Sequence, residues 1–221
     1  MDELEFKNTY WNYYRQIEKD FFDTVPYCDI DESNNNSFSV KYLQLHLSIC
    51  SEIDTICKSL CKELDKSLDL SKCGISDYIE ILKSSYTTFS DEIVTLVGYK
   101  YRSIQPWKGI DKGHIPNWWN VYNAIKHHRD LEKNNKKNYK YANQKNIIEA
   151  LCALYVLLEY WAAKNFVTDE KETQNIIMPN FKSKALNLSN WTFYFSFMGP
   201  GIWFDSRLYL KYIGKKKSES V

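Results

Sequence analysis

The stretch VKYLQLHLSICSEIDTICKSLCKELDKSL (40–68) decides the fold. Turned at about 100° per residue, Tyr42, His46, Ile49, Ile53, Ile56, Cys57, Leu60 and Leu64 fall within about 60° of one line. That spacing predicts a long amphipathic helix with one buried face. His46 lies on the apolar line, the position of a core histidine, while Glu52 and Asp54 stand at its two borders. Ser39 is a suitable N-cap, because its hydroxyl can accept from the unpaired N–H groups of the first turn.

Working outward, Leu4 to Thr24 alternates aromatics (Tyr10, Trp11, Tyr14, Phe21, Phe22) with charges and predicts another amphipathic helix, ended by Pro26. DESNNNS (31–37) reads as a polar loop, and a shorter helix is expected from Ser76 to about Phe89. The region around 92–105, where β-branched and aromatic residues come without helical period, predicts a short strand or extended excursion. WKGIDKGH (107–114) is a loop. A compact helix follows from Pro116 to about Arg129, then a polar, basic loop over 131–146. Ile147 to about Asn165 is apolar around nearly its whole circumference. Glu149 and Glu159 within so short a run predict a buried core helix rather than a membrane span. In WTFYFSF (191–197) and IWFDSRLYL (202–210) apolar residues alternate, which predicts a β-hairpin over about 191–210 with one buried face; a lone hairpin needs support from the helices or a second subunit. The expected architecture is mainly α: an up-and-down bundle over 1–170 and an extension over 171–221 that packs its hairpin on the bundle and ends in a frayed basic tail.

Composition supports this. Seven glycines and five prolines in 221 residues are too few for a sandwich or barrel with a turn every ten residues. With 29 Lys and Arg against 28 Asp and Glu, no global field draws the chain to nucleic acid or membrane, so any such partner must be met by a local patch. One such patch runs from Lys126 to Lys145, with seven Lys or Arg against Asp130 and Glu132. The six cysteines show no Cys-x-x-Cys pair, and Cys50, Cys57 and Cys61 recur at helical intervals among Ile and Leu. The expectation is a cytoplasmic protein with reduced thiols, no structural metal, no cofactor and no membrane partner. The acidic start MDELEFK does not read as a signal peptide.

The chemistry-bearing segment is PNWWNVYNAIKHHRD (116–130). On a wheel Trp118, Val121, Tyr122, Ile125 and Arg129 share one side, the expected core contact, with Arg129 reaching its edge. Trp119, Asn123, Lys126, His127 and Asp130 share the other. This second stripe suits phosphate binding by Lys126 and protonated His127, acid–base chemistry at His127, or stacking of a base on Trp119. A solvated helix face whose charges happen to cluster is the alternative. His46, His114 and His128 are read as structural.

Three segments together resemble the HEPN superfamily of helical-bundle proteins: YWNYYRQIEKDFFDT (10–24), FSVKYLQLHLSICSEIDTICKSL (38–60) and NWWNVYNAIKHHRD (117–130), the last followed by a loop and an apolar helix. The resemblance covers roughly residues 5–165 and leaves the hairpin aside. It implies a signature of arginine, a polar residue, three further positions and histidine. Many proteins with that signature are metal-independent ribonucleases, acting as toxins or in phage defence as homodimers with a shared cleft. On YNAIKH (122–127) the polar residue is Asn123 and the histidine His127, while Tyr122 stands where arginine is expected. Lys126 or Arg129 would then supply the missing cation, which steadies charge building on the scissile phosphate. Glu52 or Asp54 would be the supporting acid. Lys133, Lys136, Lys137 and Lys140 would track the RNA backbone, with Trp119 beside them. The other function class implied is a non-catalytic module that dimerises and binds RNA, nucleotide, an antitoxin or another protein through the same stripe. A nuclease requires His127 in an open cleft near Lys126, Asn123 or a partner's copies of them; a scaffold requires the stripe packed shut or ion-paired internally.

Overall fold

The computed structural model describes residues 1–99, 103–166, 183–189, 195–197 and 202–204. Within them the chain is mainly helical, with small antiparallel sheets. A first helix begins at α1 (Glu3–Phe6), passes through a π turn (Lys7–Trp11) and continues as α2 (Asn12–Phe22). Asp2 caps it by accepting from the Glu5 N–H at 2.7 Å. The π turn has a packing reason: the buried residues Phe6, Trp11, Tyr14, Ile17 and Phe21 include one five-residue step, which only the wider turn keeps on one face.

α3 (Val40–Leu64) begins where expected, with the Ser39 hydroxyl accepting from the Tyr42 N–H. It stops four residues before the expected Leu68. Asp65 is extended and Lys62 donates to the carbonyls of Lys66 and Leu68, a competing arrangement that closes the helix end as a turn. α4 (Ile75–Ser85) is likewise shorter than the expected 76–89, and Phe89–Asp91 form a separate 3₁₀ turn. At its start Asp77 accepts from the Gly74 N–H at 2.8 Å.

α5 (Asn117–His128) and α6 (Gln144–Phe166) are the remaining α-helices among the described residues. Residues Ile147 to Ala163 are buried on every side except at half-buried Glu149, as a central helix must be. The span Gln144–Asn165 is long and apolar enough to cross a membrane, but 89% of its most apolar 18-residue window is buried inside the protein, so its apolar surface is already used by the core. α3 and α6 start side by side, tied by the Phe38–Asn143 bridge and by the Gln144 amide beside the Tyr42 hydroxyl. α2 runs against them, with Phe21 near Tyr42 and Tyr14 stacked on Tyr155 at 5.8 Å.

The excursion after α4 holds β1 (Val94–Leu96) and β2 (Ser103–Ile104), antiparallel to each other; residues 100–102 between them lie outside the described set. The sequence reading placed no strand at β5 (Leu186–Leu188), which pairs with β1 from the other side and buries Leu186 and Leu188. Entry into β5 is fixed by a clasp. Ser183 donates to buried Glu18, which also accepts from the Tyr14 hydroxyl at 2.9 Å, while the Ser183 oxygen takes the N–H groups of Ala185 and Leu186. The expected C-terminal hairpin has its backbone pairing, β6 (Phe195–Phe197) against β7 (Ile202–Phe204), with Phe195 opposite Phe204. Its faces, its MGPG turn and the basic tail lie outside the described residues.

The polar stretch after α5 is more ordered than a loop. β3 (Glu132–Lys133) and β4 (Lys136–Lys137) form a hairpin across Asn134 and Asn135, whose φ values of 52° and 56° fit a tight primed turn. Asn–Asn is among the few pairs that take two left-handed residues cheaply.

Candidate nucleic-acid interface

α5 is seated at both ends. At its start the Trp118 indole donates to the Pro106 carbonyl at 3.0 Å and meets Trp107 edge-on at 5.2 Å; Trp107 in turn donates to the Ala153 carbonyl of α6. The Trp118 carbonyl accepts from His46 Nε2 at 3.0 Å. A carbonyl only accepts, so Nε2 carries the hydrogen and Nδ1 is left as an acceptor with no partner among the described residues. Burial pulls the pKa of His46 down to about 4. This is the structural core histidine expected from its place on the wheel.

At the other end, the Asn138 side chain donates to the His128 carbonyl at 2.7 Å, and the Tyr139 N–H reaches the Arg129 carbonyl. These bonds satisfy carbonyls that a helix end leaves unpaired, while Lys126, His127 and His128 complement the helix dipole. Asn138 is 7% exposed, so Asn138→Ala should cost about 0.5–1.5 kcal/mol, the net worth of one hydrogen bond, because the His128 carbonyl loses its side-chain partner but keeps the Leu131 N–H. Urea unfolding of the variant measures this, and faster amide exchange at Leu131 and Tyr139 should accompany it.

Between the two anchors the side chains divide. Lys126, His127, His128, Arg129 and Asp130 are exposed and Asn123 is half-buried. Tyr122 is buried, lies against Trp119 at 5.1 Å, and carries the Lys126 ammonium 5.5 Å from its ring centre. Trp119 is 5% exposed and packs in the core, so its ring is not open to a base. Arg129, expected to reach the edge of the core side, is exposed at the C-cap of α5. The His127 ring lies 6.3 Å from that of His128.

Ion pairs are plentiful elsewhere, as in Lys41–Asp20, Lys58–Asp54 and Lys83–Glu80. Among the described residues no carboxylate comes within ion-pair distance of Lys126, Arg129, Lys133, Lys136, Lys137 or Lys140; in this region only Lys145 is paired, to Glu149 at 3.9 Å. Among the described residues no carboxylate neutralises this positive field, and of the stripe only Trp119 is packed in the core.

Glu52 and Asp54 are not brought to this end. α5 runs back along α3 from the His46–Trp118 contact, so that Val121 and Ile125 pack with Leu43 and Leu47, and Tyr139 beyond α5 meets Phe38. From that contact Glu52 lies six residues, about 9 Å, one way along α3. His127 lies nine residues, about 13 Å, the other way along α5. Asp54 is ion-paired to Lys58, and burial alone pushes the half-buried Glu52 carboxyl up to about 7.

One constellation escaped the sequence reading. Phe38, far from the lysines in sequence, lies beside them: Lys136 and Lys140 place ammonium groups 5.7 and 5.5 Å from its ring centre. The Asn–Asn pair between two charged dipeptides was the available signal for the hairpin that brings Lys136 there. Among the described residues, no three His, Cys, Asp or Glu side chains gather where they could hold a metal ion. Comparison with protein-family models, with curated proteins and with solved structures finds no match to this chain.

Proposed function

We propose that the chain is an HEPN-like helical protein that engages RNA through the exposed end of α5 and the basic hairpin after it, and that it cuts RNA without a metal as a homodimer. The observation that carries this reading is the set of six exposed or half-exposed cations on the last turn of α5 and the hairpin after it, Lys126, Arg129, Lys133, Lys136, Lys137 and Lys140, which have no ion-paired carboxylate among the described residues. In the proposed reaction the 2′-hydroxyl of the RNA loses its proton to His127 and attacks the adjacent phosphorus. The 5′-oxygen leaves and takes a proton from the partner copy's imidazole, giving a cyclic phosphate and a free 5′-hydroxyl. Lys126 and Arg129 steady the phosphorane, and Asn123 orients the phosphate. A homodimer, as the resemblance implies, supplies the second imidazole from the partner copy, so that proton acceptor and proton donor stand on opposite sides of the phosphate.

A second reading, an RNA-binding module without catalysis, is favoured by burial of Tyr122 at the position where the resemblance implies arginine and by the distance of Glu52 from His127. Incubation of a mixed RNA pool in EDTA with wild type and His127→Ala separates the two. Cleavage by wild type alone, falling at least about 100-fold in the variant, supports the nuclease. Binding without cleavage by either, at high protein concentration, selects the module.

A further inference from the structure

We propose that Phe38, Tyr139 and Tyr141 with Lys136 and Lys140 form a stacking platform for single-stranded nucleic acid, deepening the proposed function by naming the surface that holds the strand. Phe38 is 44% exposed, a large ring left in water immediately before the cap of α3. Its backbone is fixed by the bridge to Asn143, and the Tyr139 ring meets it edge-on at 6.1 Å. Lys136 lies 4.9 Å from the Tyr141 ring centre as well as over Phe38, and Lys140 lies 6.0 Å from that of Tyr139. The Tyr141 hydroxyl donates to the Lys133 carbonyl at 2.9 Å, holding ring and hairpin together.

The hairpin carries a conflict that an anion resolves. Lys133 stands directly opposite Lys136 across the ladder, a like-charge pairing that destabilises a two-stranded ribbon, and among the described residues neither has a carboxylate within ion-pair distance. Phosphates placed between these lysines turn the repulsion into attraction. The rings decide which polyanion fits. An acidic peptide would use the ammonium groups and leave Phe38 in water, and a duplex hides its base faces. A single strand offers a flat base to the ring and a phosphate to each lysine. Lysine stems are flexible enough to move their heads from ring to phosphate while the alkyl chain still covers the aromatic edge.

The test is fluorescence anisotropy with labelled oligothymidylate and oligouridylate of about twelve nucleotides, within the footprint of one small domain. Oligothymidylate lacks the 2′-hydroxyl and so reports binding whether or not the chain cuts RNA. Both should bind, with Phe38→Ala weakening each by roughly 5- to 100-fold, the worth of one stacked base. Lys136→Ala/Lys140→Ala should weaken binding and lower the slope of log affinity against log salt by about 1.4, two single-strand phosphates. All three residues are at least partly exposed, so circular dichroism should be unchanged. Equal affinity of Phe38→Ala and wild type, no binding of either oligonucleotide at low salt, or equal competition by polyglutamate would each overturn the platform. Oligothymidylate binding lost in Phe38→Ala while RNA stays uncut keeps the platform and removes the nuclease reading. RNA cleavage unaffected by Phe38→Ala combined with Lys136→Ala/Lys140→Ala does the reverse.

Discussion

Trp118→Ala should lower the stability of the protein by about 3–5 kcal/mol, the usual cost of deleting a buried indole. Three losses combine. The ring is 1% exposed, so its removal leaves a cavity between α5 and the 105–110 turn. The Pro106 carbonyl loses the indole N–H that it accepts at 3.0 Å, and Trp107 loses the edge-on contact at 5.2 Å through which α5 leans on α6. Because His46 bonds the Trp118 backbone rather than its side chain, that anchor survives, and the helix should loosen rather than detach. Lys126→Ala, about 12 Å further along the same helix, should change stability by no more than about 0.5 kcal/mol. Urea unfolding of both variants checks the contrast. A Trp118→Ala loss below about 1 kcal/mol would mean that the start of α5 is not packed as described.

That contrast also explains what was legible in the sequence. The long helices were, because burial on one face writes a period into the chain: Tyr42, His46, Ile49 and Ile53 repeat, and they are buried. So was the central position of α6, whose apolar circumference leaves it no solvent face. Helix ends were read less well. The carbonyls of Lys66 and Leu68 are claimed by the Lys62 ammonium, a local competition that periodicity does not record. β5 was invisible, since three residues with alternating Leu186 and Leu188 become a strand only when β1 is there to pair with.

The candidate site divides along the same line. The exposed cations could be seen as a charge run, and they are exposed. Trp119 was assigned to the polar stripe by its angle on the wheel, yet its ring is wide enough to fold over Tyr122 into the core from the edge of that stripe. Phe38 was passed over because its partners lie about a hundred residues away. A ring left in water carries no periodic signature, and its meaning comes only from the lysines that the Asn134–Asn135 turn carries to it.

Acidification should expose a second internal tension, between His46 and Glu52. The folded-state pKa of His46 is about 4 against 6.5 when unfolded. The unfolded chain therefore takes up this proton first, and stability falls as pH drops from 6.5 through 4, by about 3 kcal/mol in full. Glu52 has the opposite sign. Its carboxyl titrates near 7 in the fold against 4.5 unfolded, so the fold holds the proton more tightly and Glu52 destabilises increasingly as pH rises from 4.5 through 7. On acidification from neutrality Glu52 thus restores stability over much of the range in which His46 removes it. The wild-type profile should be shallow down to about 4.5 and steepen only below, where His46 still titrates and Glu52 no longer does. Asp20, held below the usual carboxylate range by Lys41, and Asp65 and Asp69, held there by Ser67 and Ser71, add to the fall only further down, below 3.8. Two neutral replacements separate the limbs. Glu52→Gln should be at least as stable as wild type at neutral pH and should lose stability steeply between about 6.5 and 4. His46→Gln, whose amide can still donate to the Trp118 carbonyl, should instead gain stability as pH falls toward 4.5. Urea midpoints of the two variants across that range read both slopes. Parallel profiles in His46→Gln and wild type would show that the buried imidazole does not titrate against the fold, and its bond to Trp118 would then be a contact without a pH signature.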